Sequence, residues 1–212
     1  MSIRHIVQSG DTVESIAFTH GLFWETVWNA DENAELRKLR EPNILVPGDV
    51  VVVPAKRPGV VTVATGKLHR FRRRGVPSVL NVRLLDDGVP RAAVAWTVEA
   101  GGRTVTGTTD ADGWIHCYLM PDVKAGVLRL DATGESWEFD IGNVAPPGTT
   151  EGVQTRLHNL GYYSGAITGR FDEATIEALR RFQRDAELPD TGAADEATVA
   201  KLDAYERTPP PP

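Results

Sequence analysis

Cysteine is nearly absent. The 212 residues hold one, Cys117, so no internal disulfide can form. Long apolar runs are also missing, and no stretch approaches the ~20 residues that a membrane helix needs. There is no surplus of positive charge either: 23 Lys and Arg stand against 29 Asp and Glu, a net charge of −6. That argues against nonspecific nucleic-acid binding, which needs a clustered positive surface. The N-terminus, Met1-Ser-Ile-Arg-His-Ile-Val-Gln, has no signal-peptide core. We therefore expect synthesis in the cytoplasm, with any role outside it requiring delivery by a route other than a signal peptide.

Catalytic equipment is equally sparse. A cysteine peptidase needs a thiolate paired with a histidine. Cys117 follows His116 directly, but on a strand adjacent side chains point to opposite faces. The five histidines, His5, His20, His69, His116 and His158, are scattered singly, without the converging spacing of a zinc site. No segment is large enough to build a cleft around two facing carboxylates. No Gly-rich phosphate loop occurs. The expectation is a protein that is not an enzyme and needs no cofactor or metal.

What is present is patterned. A hydrophobic share of 41% and a charged share of 25% are ordinary for a globular chain of one to three domains. Near the C-terminus a local signal occurs twice at a fixed offset. Gly169-Arg-Phe-Asp172-Glu-Ala-Thr175 leads into Ile176-Glu-Ala-Leu179, and Gly192-Ala-Ala-Asp195-Glu-Ala-Thr198 leads into Val199-Ala-Lys-Leu202. Each copy reads as a helix start: the Asp caps free amide groups of the first turn, and Glu complements the helix dipole. Upstream, Val153, Leu157 and Leu160 form one stripe of a further helix that stops at Gly161.

The string from Val153 to Leu202 resembles the three-helix peptidoglycan-binding module found beside many bacterial cell-wall hydrolases. The resemblance includes Val153-Gln154, Leu157, Leu160-Gly161-Tyr162, Gly165, Gly169, Phe171, Thr175, Ala178-Leu179, Phe182-Gln183, Leu188, Thr191-Gly192, Thr198 and Leu202. Two positions depart from the usual pattern: Thr168 stands where Asp precedes the glycine, and Asp172 stands where a glycine follows Phe171. In this module Tyr162, Tyr163, Arg170 and Phe171 are the expected ligand contacts, with Phe171 and one of the tyrosines as core residues the alternative. Sugar faces stack on aromatic rings, and polar groups then fix orientation.

At the other end, His5-Ile-Val-Gln-Ser-Gly-Asp-Thr12 reads as a strand and a turn. Asp11 with Glu14 predicts a capping-box-like helix start, followed by the buried stripe Val13, Ile16 and Ala17 and an end at Gly21. A second helix carries Trp24, Val27 and Trp28, the two tryptophans as core. Pro47-Gly48-Asp49 then turns the chain into the strand Val50–Val53. His5, Val7, Gly10-Asp11-Thr12, Ile16-Ala17, Gly21, Asn29, Pro47-Gly48-Asp49 and Pro54 resemble the LysM pattern. That likeness implies a shallow groove for N-acetylglucosamine polymers. Its walls would be the Gly10, Asp11, Thr12 and Val13 loop and the Asn43–Gly48 loop, with Asn43, Ile44, Leu45 and Gly48. The charged stretch Asp31–Glu41 is longer than is usual for the family.

Between the two ends, a basic cluster of Lys67, Arg70, Arg72, Arg73 and Arg74 with His69 reads as a solvated connector. From Pro77 to Ile141 apolar residues mostly alternate: Leu80, Val82 and Leu84; Val94, Trp96 and Val98; Ile115, Cys117 and Leu119; Leu128 and Leu130; Trp137, Phe139 and Ile141. Turn signals separate the sets, so an antiparallel sandwich of six or so strands is expected. Gly107–Trp114 looks like the hairpin of immunoglobulin-like or transthyretin-like modules. Asp110 and Asp112 read as a turn, because the downstream glycine and bidentate Glu of a calcium loop are missing.

The expected architecture is multidomain α+β. It comprises a LysM-like βααβ domain over 1–55, a linker or leading strand over 56–76, and an antiparallel β-sandwich (Ig-like or transthyretin-like) over 77–143. A linker over 144–150, a peptidoglycan-binding-like three-helix domain over 151–206 and a disordered tail over 207–212 follow. The expected function is non-catalytic recognition of the peptidoglycan glycan, two modules on one chain giving avidity. With a net charge of −6, binding to an anionic wall should rest on sugar contacts. The rival is a structural adaptor or cargo-linked component of a contractile injection system, type VI or phage-tail-like, contacting a spike, baseplate or effector protein.

Overall fold

A computed structural model describes residues 1–56, 62–69 and 78–207. Of the basic cluster, only Lys67 and His69 are described; Arg70, Arg72, Arg73 and Arg74 lie outside, as do Pro77 and the Pro209–Pro212 tail. By contact the chain divides into two units, Met1–Asn43 with Pro47–Gly142, and Ile44–Val46 with Asn143 onward. No helix among the described residues is long and apolar enough to cross a membrane.

The first unit opens with β1 (Ile3–Ile6), helix α1 (Val13–Thr19) and helix α2 (Trp24–Trp28). A 3-10 turn (Asp31–Asn33), helix α3 (Ala34–Leu39) and β2 (Val50–Val53) follow, and β1 and β2 pair antiparallel. The cap of α1 falls one residue later than Asp11. Thr12 Oγ1 accepts the Ser15 N–H at 3.1 Å and Ser15 Oγ accepts the Thr12 N–H at 3.0 Å, a reciprocal box that leaves Asp11 free for other partners. The stripe Val13, Ile16 and Ala17 is buried, as are Val27, Val51 and Val53, whereas Trp24 and Trp28 are only half-buried. Asn33 pins the long insertion to β2. Its side chain is fully buried, donates to the Val27 and Val52 carbonyls and accepts the Val52 N–H, each at 2.8 Å. A buried amide with both donors and its oxygen engaged fixes its segment, because any displacement would strand polar groups away from water.

The same unit continues with β3 (Ser78–Arg83), β4 (Leu85–Asp86), β5 (Val89–Pro90), β6 (Ala95–Ala100), β7 (Arg103–Thr108), β8 (Trp114–Leu119), β9 (Ala125–Leu130) and β10 (Ser136–Asp140). One sheet has the order β10-β9-β6-β7; β3 pairs with β8, and β4 with β5. Alternation decides what lies between them. Trp96, Val98, Leu128 and Leu130 from the larger sheet share one core with Ile115, Cys117 and Leu119 from β8. Burial raises the Cys117 thiol pKa, which keeps it protonated and inert. The Gly107–Trp114 piece is not a hairpin: β7 and β8 belong to different sheets, and the link between them is a corner. Asp110 makes that corner, its Oδ1 accepting the Asp112 and Trp114 N–H groups at 2.9 and 2.8 Å.

The second unit carries α4 (Thr150–Asn159), α5 (Glu173–Asp185) and α6 (Glu196–Arg207). Their core is Val153, Leu157, Tyr163, Ala178, Leu179, Phe182, Ala186 and Leu202. Arg156 is buried among them. Its guanidinium donates to the Ala145 and Gly152 carbonyls at 2.9 and 3.0 Å and to Asp203 at 3.4 Å, tying the entering chain to α4 and α6.

Candidate binding site

In the second unit the repeated signal becomes a repeated device. Gln154, on α4, is fully buried; its Oε1 accepts the Thr168 and Gly169 N–H groups at 3.0 and 2.9 Å, and its Nε2 donates to the Arg170 carbonyl and Thr175 Oγ1, both at 2.8 Å. Gln183, on α5, does the same for the second copy. It accepts from Thr191 and Gly192 and donates to Thr191 Oγ1, the Ala193 carbonyl and Thr198 Oγ1. Each loop then enters a helix whose first turn is capped by Asp172 or Asp195, accepting from Thr175 at 2.9 Å and Thr198 at 2.8 Å. The Thr175 hydroxyl and amide bonds hold the Asp172 carboxyl below its ordinary value, and Thr198 acts likewise on Asp195. Asp172 therefore serves as a helix cap.

The two copies differ in what they show to solvent. Around Gly192, Ile176 and Arg180 crowd the backbone: a Cβ there would stand 2.8 Å from Ile176 Cγ2. At Gly169 the nearest atom would be 3.9 Å away. Where the second copy has Ala193 and Ala194, the first has Arg170 and Phe171, both exposed, Phe171 by 46% beside Ile167 at 42%. The open loop is thus an apolar and cationic surface fixed from beneath.

The tyrosines have other duties. Tyr163 is buried; its hydroxyl donates to the Ala166 carbonyl at 3.0 Å and its ring packs against Gly165, so it shapes the loop from inside. Tyr162 is half-buried, packs edge-on against Phe182, and donates to Asp185 Oδ2 at 3.0 Å. Burial first, then the Asp185 carboxylate, pushes its pKa up to about 12.

In the first unit, Gly10, Asp11, Thr12 and Val13 are all buried. Asp11 accepts from Lys124 Nζ and from His5 Nε2, each at 2.8 Å, and from the Gln8 N–H at 2.9 Å. Burial alone would raise the Asp11 pKa; the bonds from Lys124, His5 and Gln8 outweigh it and leave the carboxyl below its ordinary value. The Val13 N–H donates to the Pro42 carbonyl at 2.9 Å, which joins this loop to the segment before Asn43. Asn43 and Gly48, of this unit, are exposed, while Ile44 and Leu45, which belong to the second, are buried.

Sequence reasoning passed over the roles of Gln154 and Gln183, and it passed over Ile167 altogether. A glutamine following the apolar position of a helix stripe, once before each Thr/Gly loop, is the signal that finds the pair. Among the described residues no group of His, Cys, Asp or Glu is placed to hold a metal ion. No curated protein and no solved structure matches the chain. Two family models do: the LysM domain over residues 5–54, and one described as "Putative peptidoglycan binding domain" over residues 150–202. Both matched domains are binding modules, and the chain carries a LysM domain at its N-terminal end and a peptidoglycan-binding domain at its C-terminal end.

Proposed function

We propose that the protein is a non-catalytic peptidoglycan-binding protein whose open contact surface is the Thr168–Phe171 loop. The observation that carries this reading is the asymmetry of the repeat. Both copies are pinned by a buried glutamine, but only the first carries exposed large side chains, Arg170 and Phe171. A fixed backbone lowers the ordering cost of binding, the Phe171 ring offers a stacking face to a sugar, and the Arg170 guanidinium donates to hydroxyl, amide or carboxylate oxygens. Sedimentation with purified insoluble peptidoglycan tests it. The wild-type chain should co-sediment, and Arg170→Ala/Phe171→Ala should lower retention about tenfold with the helix content unchanged. Equal retention of the two would refute this placement of the site.

A second reading, an adaptor of a contractile injection system carried out of the cell by that apparatus, draws support from one observation: the Gly10–Val13 loop of the LysM domain faces protein. Absence of retention on peptidoglycan, together with co-purification of a spike or baseplate protein, would favour it.

A further inference from the structure

We infer that the Gly10–Val13 loop, the stretch that the LysM likeness assigns to sugar, is latched onto the β-sandwich of its own chain and becomes available to glycan only when that latch opens. This rests on the peptidoglycan-binding reading and deepens it: as the chain is folded, one of its two modules is open and the other is closed.

Three contacts carry the inference. Lys124, at the edge of β9, places its ammonium 2.8 Å from Asp11 Oδ1 and 3.4 Å from the Ser9 carbonyl. Its alkyl stem lies along the loop, so that a Cβ on Gly10 would meet Lys124 Cδ at 3.2 Å and the Ile141 carbonyl at 3.5 Å. The backbones themselves touch: a Cβ on Gly142 would stand 2.7 Å from the Gly10 carbonyl oxygen. Gly10 and Gly142 have φ of +79° and +78°, so both sit in left-handed turns, and at Gly142 the approach of the Gly10 backbone also excludes any side chain. A fourth bond lies further along α1, where Ser78 Oγ donates to Glu14 Oε2 at 2.8 Å.

The chemistry explains why the arrangement holds. Asp11 has only 9% of its side chain exposed, and it receives two cationic or polar side chains and one amide. A carboxylate so enclosed is costly to leave without its counter-charge. A glycan that uses the Gly10–Val13 backbone must first displace Lys124 and the Ile141–Gly142 backbone. Its apparent affinity is then scaled down by the fraction of molecules in which they have moved away.

The test uses the full chain with Arg170→Ala/Phe171→Ala, so that the C-terminal loop is silent, and soluble N-acetylglucosamine hexamer as the probe. Amide hydrogen exchange at Asp11–Val13 is read on the same samples. With Lys124 intact we expect protected amides and weak hexamer binding. Lys124→Asp should expose those amides and strengthen hexamer binding by about tenfold or more. Fast exchange at Asp11–Val13 with Lys124 intact would overturn the latch directly. So would equal hexamer affinity with and without Lys124, or amides released by Lys124→Asp without any gain in binding. Should Lys124→Asp misfold, Lys124→Ala is read in its place, and equal hexamer affinity with and without the lysine overturns the latch. Loss of wild-type retention on insoluble peptidoglycan would be the separate failure of the parent reading.

Discussion

Two of the loops expected to meet ligand are built in opposite ways. Thr168–Phe171 is held from inside, by a glutamine whose four-way hydrogen bonding leaves the outer face of the loop uncovered. Gly10–Val13 is held from outside, by Lys124 and the Ile141–Gly142 backbone of the sandwich. Both contain a glycine with positive φ at the turn, and both lead into a capped helix. A loop fixed by its own core can present side chains to a partner, whereas a loop fixed by a neighbouring domain has already used its surface.

The largest effect that would break this comparison is on stability. Gln154→Ala or Gln183→Ala removes several buried bonds at once and should lower the unfolding free energy of the C-terminal module by about 3 kcal/mol, measured by urea denaturation followed through helical circular dichroism. A loss under about 1 kcal/mol would mean the loops do not depend on an internal pin. Thr12→Ala should cost less, about 1 kcal/mol, because Thr12 and Ser15 cap only α1; faster amide exchange in α1 without change in α5 is the readout. Smallest is a pH effect. Asp172 titrates below its ordinary 3.8 when folded, so its charge contributes stability above that value, and the contribution is lost as pH falls through the depressed folded value. Asp172→Asn keeps the cap without the charge. Its midpoint should fall slightly below wild type at neutral pH and converge with it in acid; a gap that widens in acid would contradict the assignment.

Much of this was legible in sequence because it is local. The Asp172 and Asp195 caps, the Val153/Leu157 stripe and the alternation along β8 and β9 follow from hydrogen-bond geometry and period, and the structure has each of them. β7 was not legible: Arg-Thr-Val-Thr-Gly-Thr brings only Val105 to the core, since an edge strand half in solvent needs little apolar surface. The helix cap falls at Thr12 because Thr12 and Ser15 form a box of their own; what no local rule contains is the partner of Asp11, Lys124, more than a hundred residues away. Tyr163 reads as a ligand contact by type, yet its ring completes a core that only the folded module assembles.

Sequence by itself determined the two binding modules, their helix starts and the alternating strands between them, since caps, periods and turns depend on residues a few positions apart. Tertiary structure alone decided which surfaces those modules leave open. Exposure belongs to the packed molecule: whether Gly10 or Gly169 meets solvent depends on what the rest of the chain lays over it, and that is set by contacts between residues far apart in sequence.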